Sequence, residues 1–146
     1  MILLDTNVVS AVMALAPSAS VLAWLDSQPS DSVYLSTVTT AEIHYGLQSL
    51  PEGKRRRDLE ARFEQFVASG FAYRILSFGE EAARQYGELM ARRRKLGRPM
   101  SVLDGQIAAI ARANRCALAT RNLRDFEDCK VELVNPFDER VQERPP

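Results

Sequence analysis

The chain has 146 residues, of which 46% are hydrophobic, and this is the length and composition of one globular domain with its own core. Its 19 basic and 19 acidic residues cancel, which excludes binding of nucleic acid through a globally cationic surface and leaves only local basic patches. Two cysteines without Cys-x-x-Cys spacing and a single histidine, His44, argue against a zinc site and favour a reduced, cytoplasmic protein.

The first half of the chain alternates short apolar segments with helical patterns. Ile2-Leu3-Leu4 predicts a short buried strand that ends at Asp5, because three large apolar residues are followed at once by turn formers. Apolar spacing and helix breakers then predict, in order, helices over residues 7–14 and 18–28, a strand over 33–35, and helices over 40–50 and 54–68.

The second half continues the same alternation. It predicts a strand over 74–76, helices over 80–96 and 101–113, and strands over 117–120 and 131–134. Strands that alternate with helices predict an α/β fold with a short, mostly parallel sheet of four to five strands covered by helices. We expect one domain over residues 1–137 and a frayed polar C-terminal tail over 138–146.

We expect neither a membrane span nor an export signal. No apolar run approaches the ~18 residues that a membrane span needs. The mostly apolar residues 8–16 resemble a signal segment, but the residues before them include Asp5 and no Lys or Arg, which is the wrong charge.

Three acidic residues occupy positions at which such a fold places its ligands. Asp5 lies at the carboxyl end of the first strand, and Glu42 and Asp104 are predicted in first turns of helices that start from the same edge. Each acid alone is better interpreted as a helix cap, since Thr39-x-x-Glu42 and Ser101-x-x-Asp104 fit capping boxes. Asp5 likewise fits a cap or an Asx turn. The conjunction of the three favours a functional site.

A group of carboxylates needs a counter-charge, because two unit charges ~4 Å apart repel by roughly 4 kcal/mol at an effective dielectric constant near 20. Oxygen ligands without paired histidine or cysteine select Mg²⁺ or Mn²⁺ rather than Zn²⁺. Such an ion lowers the pKa of a bound water and stabilises charge on phosphate, which is the chemistry of phosphodiester hydrolysis. The sequence contains no nucleophile elbow, no phosphate-binding loop and no dinucleotide-binding motif.

Four segments, taken in order, carry a resemblance to a known family. They are Met-Ile-Leu-Leu-Asp5-Thr-Asn, Leu35-Ser-Thr-Val-Thr-Thr-Ala-Glu42-Ile, Gly97-Arg-Pro-Met-Ser-Val-Leu-Asp104-Gly-Gln-Ile-Ala-Ala and Leu118-Ala-Thr-Arg-Asn122-Leu-Arg-Asp125-Phe. Over residues 1–137 the chain resembles PIN-domain proteins and, more narrowly, the VapC-type toxin ribonucleases of bacterial toxin–antitoxin pairs.

The resemblance implies a Mg²⁺- or Mn²⁺-dependent endoribonuclease that cuts tRNA or rRNA and so halts translation. It also implies a homodimer and a cognate antitoxin protein that blocks the acidic pocket within a toxin–antitoxin hetero-oligomer. By position, Asp5, Glu42 and Asp104 match the acidic metal-site residues of the family. We expect Asp5 and Asp104 to touch the metal most directly.

Further polar residues are candidates to support the site. Many relatives carry a fourth acid where this chain has Asn122, and a neutral amide can still bind a cation or a water while it removes one charge. Asp125 is a candidate to compensate for that charge, and Thr6, next to Asp5, is a second candidate support.

A basic segment shortly before Asp104 is a candidate RNA contact, because phosphates are bound through such charges. An equally good interpretation is a solvated helix face whose charges complement the carboxyl end of the helix dipole. The candidate residues are Arg92, Arg93, Arg94, Lys95 and Arg98.

The sequence leaves two alternatives to an RNase open. One is a non-catalytic module of the same fold that binds protein or RNA, and the other is a structure-specific DNA nuclease with a similar site.

Overall fold

The computed structural model of the chain describes residues 1–141. Within these residues a single sheet has the strand order β3-β2-β1-β4-β5, and every neighbouring pair is parallel. The strands are β1 Ile2–Leu4, β2 Val33–Ser36, β3 Ile75–Leu76, β4 Ala117–Ala119 and β5 Leu133–Val134. The parallel α/β fold predicted from the sequence is confirmed, with β3 and β5 shorter than predicted.

Helices cover the sheet, and each predicted helix is present with shifts of a few residues at its ends. They are α1 Thr6–Met13, α2 Ala19–Asp26, α3 Thr37–Gln48, α4 Lys54–Gly70, α5 Glu80–Lys95 and α6 Val102–Ala113. Short 3-10 helices follow β4 and β5, at Leu123–Phe126 and Glu139–Val141. No helix of residues 1–141 combines the length and the apolarity needed to cross a membrane.

The strand order creates a crevice at one edge of the sheet. The chain runs outward from β1 through β2 to β3 on one side, and outward from β4 to β5 on the other. The connections therefore diverge between the neighbouring strands β1 and β4, and such a switch point opens a ligand crevice beyond the carboxyl ends of both strands. The residues that follow β1 and β4 are consequently the first candidates for function.

The core lies on both faces of the sheet, which explains the continuous apolar run of β1. Successive side chains of a strand point to opposite faces. Leu3 packs into one cluster with Ile107 and Leu118, and Leu4 packs into a second cluster with Val8. Both leucines are fully buried.

A close contact between α5 and α6 fixes the position of the segment that carries Asp104. A Cβ atom on Gly105 would lie 2.5 Å from Sδ of Met90 and 3.0 Å from Cε2 of Tyr86, both on α5. Glycine therefore allows the first turn of α6 to approach α5 more closely than any other residue would.

The predicted C-terminal tail is only partly described. Phe137, the last residue of the predicted domain, packs against the second core cluster. Glu139–Val141 form a short 3-10 helix, and the predicted division into domain and tail stays a prediction. Residues 142–146 lie outside the described part of the chain.

Candidate active site

Asp5 is held at the carboxyl end of β1 by three hydrogen bonds. Its Oδ1 accepts from the backbone N–H of Thr6 at 2.8 Å, which makes Asp5 the N-cap of α1. Its Oδ2 accepts from the hydroxyl of Thr120 at 2.7 Å and from the side-chain amide of Asn7 at 3.1 Å. The capping and functional interpretations of Asp5 are therefore compatible, since the cap orients a carboxylate that faces the crevice.

The buried Thr120 and the partly buried Asn7 form a hydrogen-bond network around Asp5 that the sequence motifs do not assign to the site. The Thr120 hydroxyl donates to Asp5 and accepts from Nδ2 of Asn7 at 3.3 Å and from the backbone N–H of Asn122 at 3.1 Å. A hydroxyl has one donor and two acceptor positions, and here all three are used. The sequence contains an indication that Thr120 lies at the site, because this residue directly follows β4, the strand that pairs with β1.

Glu42 is positioned by α3, and the capping box predicted for it is wrong. The N-cap of α3 is Ser36, whose hydroxyl accepts from the backbone N–H of Thr39 at 3.0 Å, so Glu42 lies in the second turn. Because β2 runs directly into α3, the helix starts about a turn earlier than predicted. Oε1 of Glu42 accepts from the hydroxyl of Thr6 at 2.8 Å. This hydrogen bond joins α1 to α3, and a supporting role of Thr6 in the site stays a prediction.

Asp104 reaches the site from the first turn of α6. Its backbone N–H donates to the hydroxyl of Ser101 at 3.2 Å, which confirms the predicted N-cap. Its carboxylate is half-buried and lies where the positive end of the helix dipole favours a negative charge.

These side chains line one open cleft of about 520 Å³. The structure therefore brings together the three acids predicted to meet, each from a different part of the chain, and Asn122 lies in the same lining. Asp125 lies outside the lining, on the 3-10 helix beyond Asn122. The lining residues are Asp5, Thr6, Asn7, Ser10, Ala11, Glu42, Asp104, Arg121 and Asn122.

The cleft carries excess negative charge. Burial raises the pKa of the Asp5 carboxyl, the hydrogen bonds from Thr120 and Thr6 oppose this rise, and the charges of Asp104 and Glu42 add to it. Burial also raises the pKa of Asp104, whereas the Ser101 hydroxyl lowers it and the charge of Asp125 raises it. No basic side chain within residues 1–141 forms a salt bridge with any of these acids.

The donor set fits a hydrated hard cation better than a closed protein cage. Among the described residues, no three acidic, histidine or cysteine side chains converge into a preformed metal-binding group. Mg²⁺ does not need such a group, because it keeps several waters and binds through one or two carboxylates. Direct contact of Asp5, Asp104 or Glu42 with an ion stays a prediction.

The basic residues predicted to contact RNA separate into three groups. Arg93 is buried, its Nε donates to the carbonyl of Arg98 at 2.6 Å, and Nη1 donates to the carbonyl of Glu127. The predicted RNA contact of Arg93 is therefore wrong, because its donors hold two loops together. The Arg98 guanidinium is already paired with the carboxylates of Glu127 and Asp128. The remaining three are exposed, so their contact stays a prediction: Arg92, Arg94 and Lys95.

Fold and cleft define a class of protein: a doubly wound parallel α/β domain with a carboxylate-lined crevice at its switch point. The sequence model of the PIN domain matches residues 2–131, and the chain belongs to the PIN domain family.

Known proteins of VapC type are similar to this chain along nearly its whole length. It is 41% identical over 138 residues to the VapC ribonuclease Y4jK of Sinorhizobium fredii, and the match covers 94% of this chain and 99% of the relative. It is 39% identical over 137 residues to the toxin FitB of Neisseria gonorrhoeae, with the same coverage of 94% and 99%. The crystal structure of FitAcB from Neisseria gonorrhoeae aligns with a TM-score of 0.88 at 39% identity, covering 94% and 99% of the two chains. The resemblance seen in the sequence is confirmed.

Proposed function

We propose that the chain is a Mg²⁺- or Mn²⁺-dependent endoribonuclease that acts as the toxin of a toxin–antitoxin pair. One observation carries the proposal: Asp5, Glu42 and Asp104 come from three separate elements, line one open cleft and form no salt bridge with a basic residue of 1–141. The names of the similar proteins, a VapC ribonuclease and a toxin, support the choice of RNA and of the toxin role.

Some residues of the cleft would bind the metal ion, and others orient the carboxylates that bind it. Asp5 and Asp104 would hold the ion, which supplies an acidified water and positive charge next to the scissile phosphate. Thr120 and Asn7 keep the Asp5 carboxylate in one orientation through their hydrogen bonds to Oδ2. The amide of Asn122 offers a neutral oxygen at the rim.

Glu42 is placed to exchange a proton with water in the cleft. Its Oε1 is occupied by the Thr6 hydroxyl, whereas Oε2 takes no hydrogen bond from the described residues. A carboxylate with one fixed and one available oxygen can orient a water and accept its proton.

The proposal includes a cognate antitoxin and a homodimer. An acidic cleft whose carboxylates form no salt bridge within residues 1–141 attracts a basic side chain, and a partner protein that inserts one would exclude both metal and RNA. The proposed RNA target is tRNA or rRNA.

The test is a side-by-side digestion with purified protein. The wild-type chain and Asp104→Asn are each incubated with total tRNA, rRNA, single-stranded DNA and duplex DNA, with Mg²⁺, with Mn²⁺ or with EDTA. We expect wild type to cut RNA only when metal is present and Asp104→Asn to be inactive. Cleavage of DNA but not of RNA would show that the substrate is DNA rather than RNA. Absence of any cleavage, together with a melting temperature indifferent to metal, would indicate a non-catalytic binding module.

A further inference from the structure

Arg121 brings a positive charge into the acidic cleft. It lies directly after Thr120 beyond the carboxyl end of β4, and it lines the same cleft as Asp5, Glu42 and Asp104. Three carboxylates repel the phosphates of an RNA strand, so a basic side chain at this place has a clear electrostatic use.

The backbone of Arg121 is fixed by the network that also holds Asp5. The backbone N–H of Arg121 donates to Oδ1 of Asn7 at 3.2 Å, while Nδ2 of the same asparagine donates to Asp5. Arg121 is therefore held in register with the carboxylate on the neighbouring strand.

The side chain of Arg121 is placed by Phe137. The guanidinium carbon lies 3.8 Å from the centre of the Phe137 ring, which is cation–π distance. Phe137 is itself fixed, because its backbone N–H donates to Oδ1 of Asn135 at 3.0 Å in an Asx turn and its ring packs against the core. Arg121 and Phe137 meet because β4 and β5, the strands that precede them, are neighbours.

Within the described part of the chain, the hydrogen-bonding edge of the Arg121 guanidinium has no partner and is available to a ligand. Stacking on an aromatic ring uses the flat face of the group and leaves its N–H donors in the plane. Among residues 1–141, no acceptor takes a hydrogen bond from the Arg121 side chain and no carboxylate forms a salt bridge with it. Arg121 thus does not serve to neutralise the cleft acids.

We infer that Arg121, stacked on Phe137, binds a backbone phosphate of the RNA strand that enters the cleft. The planar guanidinium matches the geometry of a phosphate and binds it with two parallel hydrogen bonds. This inference rests on the proposed ribonuclease function and assigns a substrate-binding role to a residue outside its acid set. Arg121 and Phe137 form one unit, in which the ring orients the cation.

Binding of a labelled single-stranded RNA, measured by fluorescence anisotropy over a series of salt concentrations, tests this role. Asp104→Asn serves as the background, because it prevents cleavage during the measurement. We expect Arg121→Ala to weaken binding about tenfold, as expected for loss of a hydrogen bond between charged groups. The slope of log affinity against log salt should fall by about 0.7, the value for one lost phosphate contact on a single strand. A merely structural role of Arg121 would leave that slope unchanged.

Matched variants separate charge, shape and position. Arg124→Ala removes an exposed arginine three residues further on, outside the cleft lining, and should change neither affinity nor slope. Arg121→Lys should keep the slope and lose part of the affinity, because an ammonium cannot form the paired hydrogen bonds. Phe137→Leu should also weaken binding without a change in slope.

Each outcome either supports or rejects the inference. Equal binding by Arg121→Ala and Arg124→Ala would overturn it while leaving the ribonuclease function intact, provided that the wild-type chain cleaves RNA. Should Arg121→Ala fail to fold, full wild-type affinity in Arg121→Lys would overturn the paired contact. A wild-type chain that neither cleaves nor binds RNA would reject the proposed function, and this inference with it.

Discussion

The hydroxyl of Thr120 donates a 2.7 Å hydrogen bond to Oδ2 of Asp5, and this bond joins the carboxyl ends of two neighbouring strands at the switch point of the sheet. Both residues are buried. The orientation of the Asp5 carboxylate therefore depends on β4 as much as on the strand that carries it, and a change in Thr120 should reach the chemistry of the cleft.

Thr120→Val tests this link, because valine keeps the shape of threonine and removes the hydroxyl. The substitution removes one hydrogen bond each from Asp5 and Asn7 and the hydrogen bond of the Asn122 backbone N–H, so the free energy of unfolding should fall by about 1–3 kcal/mol. RNA cleavage should fall as well. Thr120→Ser retains the hydroxyl and serves as the control in urea denaturation and in the cleavage assay. Equal stability and activity of the two variants would show that the hydroxyl does not orient Asp5.

The buried Arg93 gives a second prediction. Its guanidinium donates to the carbonyls of Arg98 and Glu127, so Arg93→Ala should lower the free energy of unfolding by about 1.5–3 kcal/mol through lost hydrogen bonds to a charged group. Arg94→Ala, on the exposed side of the same helix, should stay within about 0.5 kcal/mol of wild type. Urea denaturation of both variants measures the difference. A larger loss for Arg94→Ala than for Arg93→Ala would contradict the assignment.

Arg93 also shows what the sequence could and could not establish. The run of four basic residues indicated a helix end, and α5 does end at Lys95. Packing between helices and loops decides which of the four side chains points into the protein interior. The charge of a residue alone does not predict that packing. Helical spacing does indicate that Arg93 is the buried residue of the run, because Arg93 follows the buried Leu89 by four residues on the same face.

The start of α3 could not be located from local sequence for a similar reason. Ser36, Thr37, Thr39 and Thr40 each carry a hydroxyl able to cap a helix, and the segment therefore offers several starts. The structure selects Ser36, which is the last residue of β2 and fully buried. Asp5, by contrast, was correctly placed, because the apolar run before it permits one strand end.

The charge balance of the cleft predicts how Asp104→Asn changes stability. The pKa of Asp104 is raised by burial and by Asp125, so the charged carboxylate is disfavoured in the folded protein when no cation is bound. In EDTA at neutral pH, Asp104→Asn should therefore melt at the same temperature as wild type or above it. Addition of Mg²⁺ should raise the melting temperature of wild type and leave that of the variant nearly unchanged, because binding to the folded state stabilises it.

The dependence on pH provides the control for this prediction. Because the pKa of Asp104 is raised in the folded protein, its protonated carboxyl stabilises the fold. This stabilisation is fully present below the unfolded pKa of 3.8 and is lost as the pH rises through the folded pKa. In EDTA, the advantage of Asp104→Asn over wild type should vanish below pH 3.8 and grow above it. A difference that is independent of pH would mean that the carboxylate is not the cause.

The last prediction concerns the contact between α5 and α6. Two glycine-to-alanine substitutions should change the free energy of unfolding in opposite directions. Alanine is favoured over glycine inside a helix by about 1 kcal/mol. At Gly87, on α5, a Cβ atom meets nothing within 4 Å, so Gly87→Ala should raise the free energy of unfolding by up to about that amount. At Gly105, a Cβ atom would lie 2.5 Å from Sδ of Met90 and 3.0 Å from Cε2 of Tyr86, so both side chains of α5 must shift to admit alanine. Gly105→Ala should therefore lower stability by about 1–3 kcal/mol, as overpacked cores do, and reduce cleavage because Asp104 is the preceding residue. Urea denaturation of the two variants measures both changes in the free energy of unfolding. A Gly105→Ala protein more stable than wild type would show that the two helices do not need this close approach.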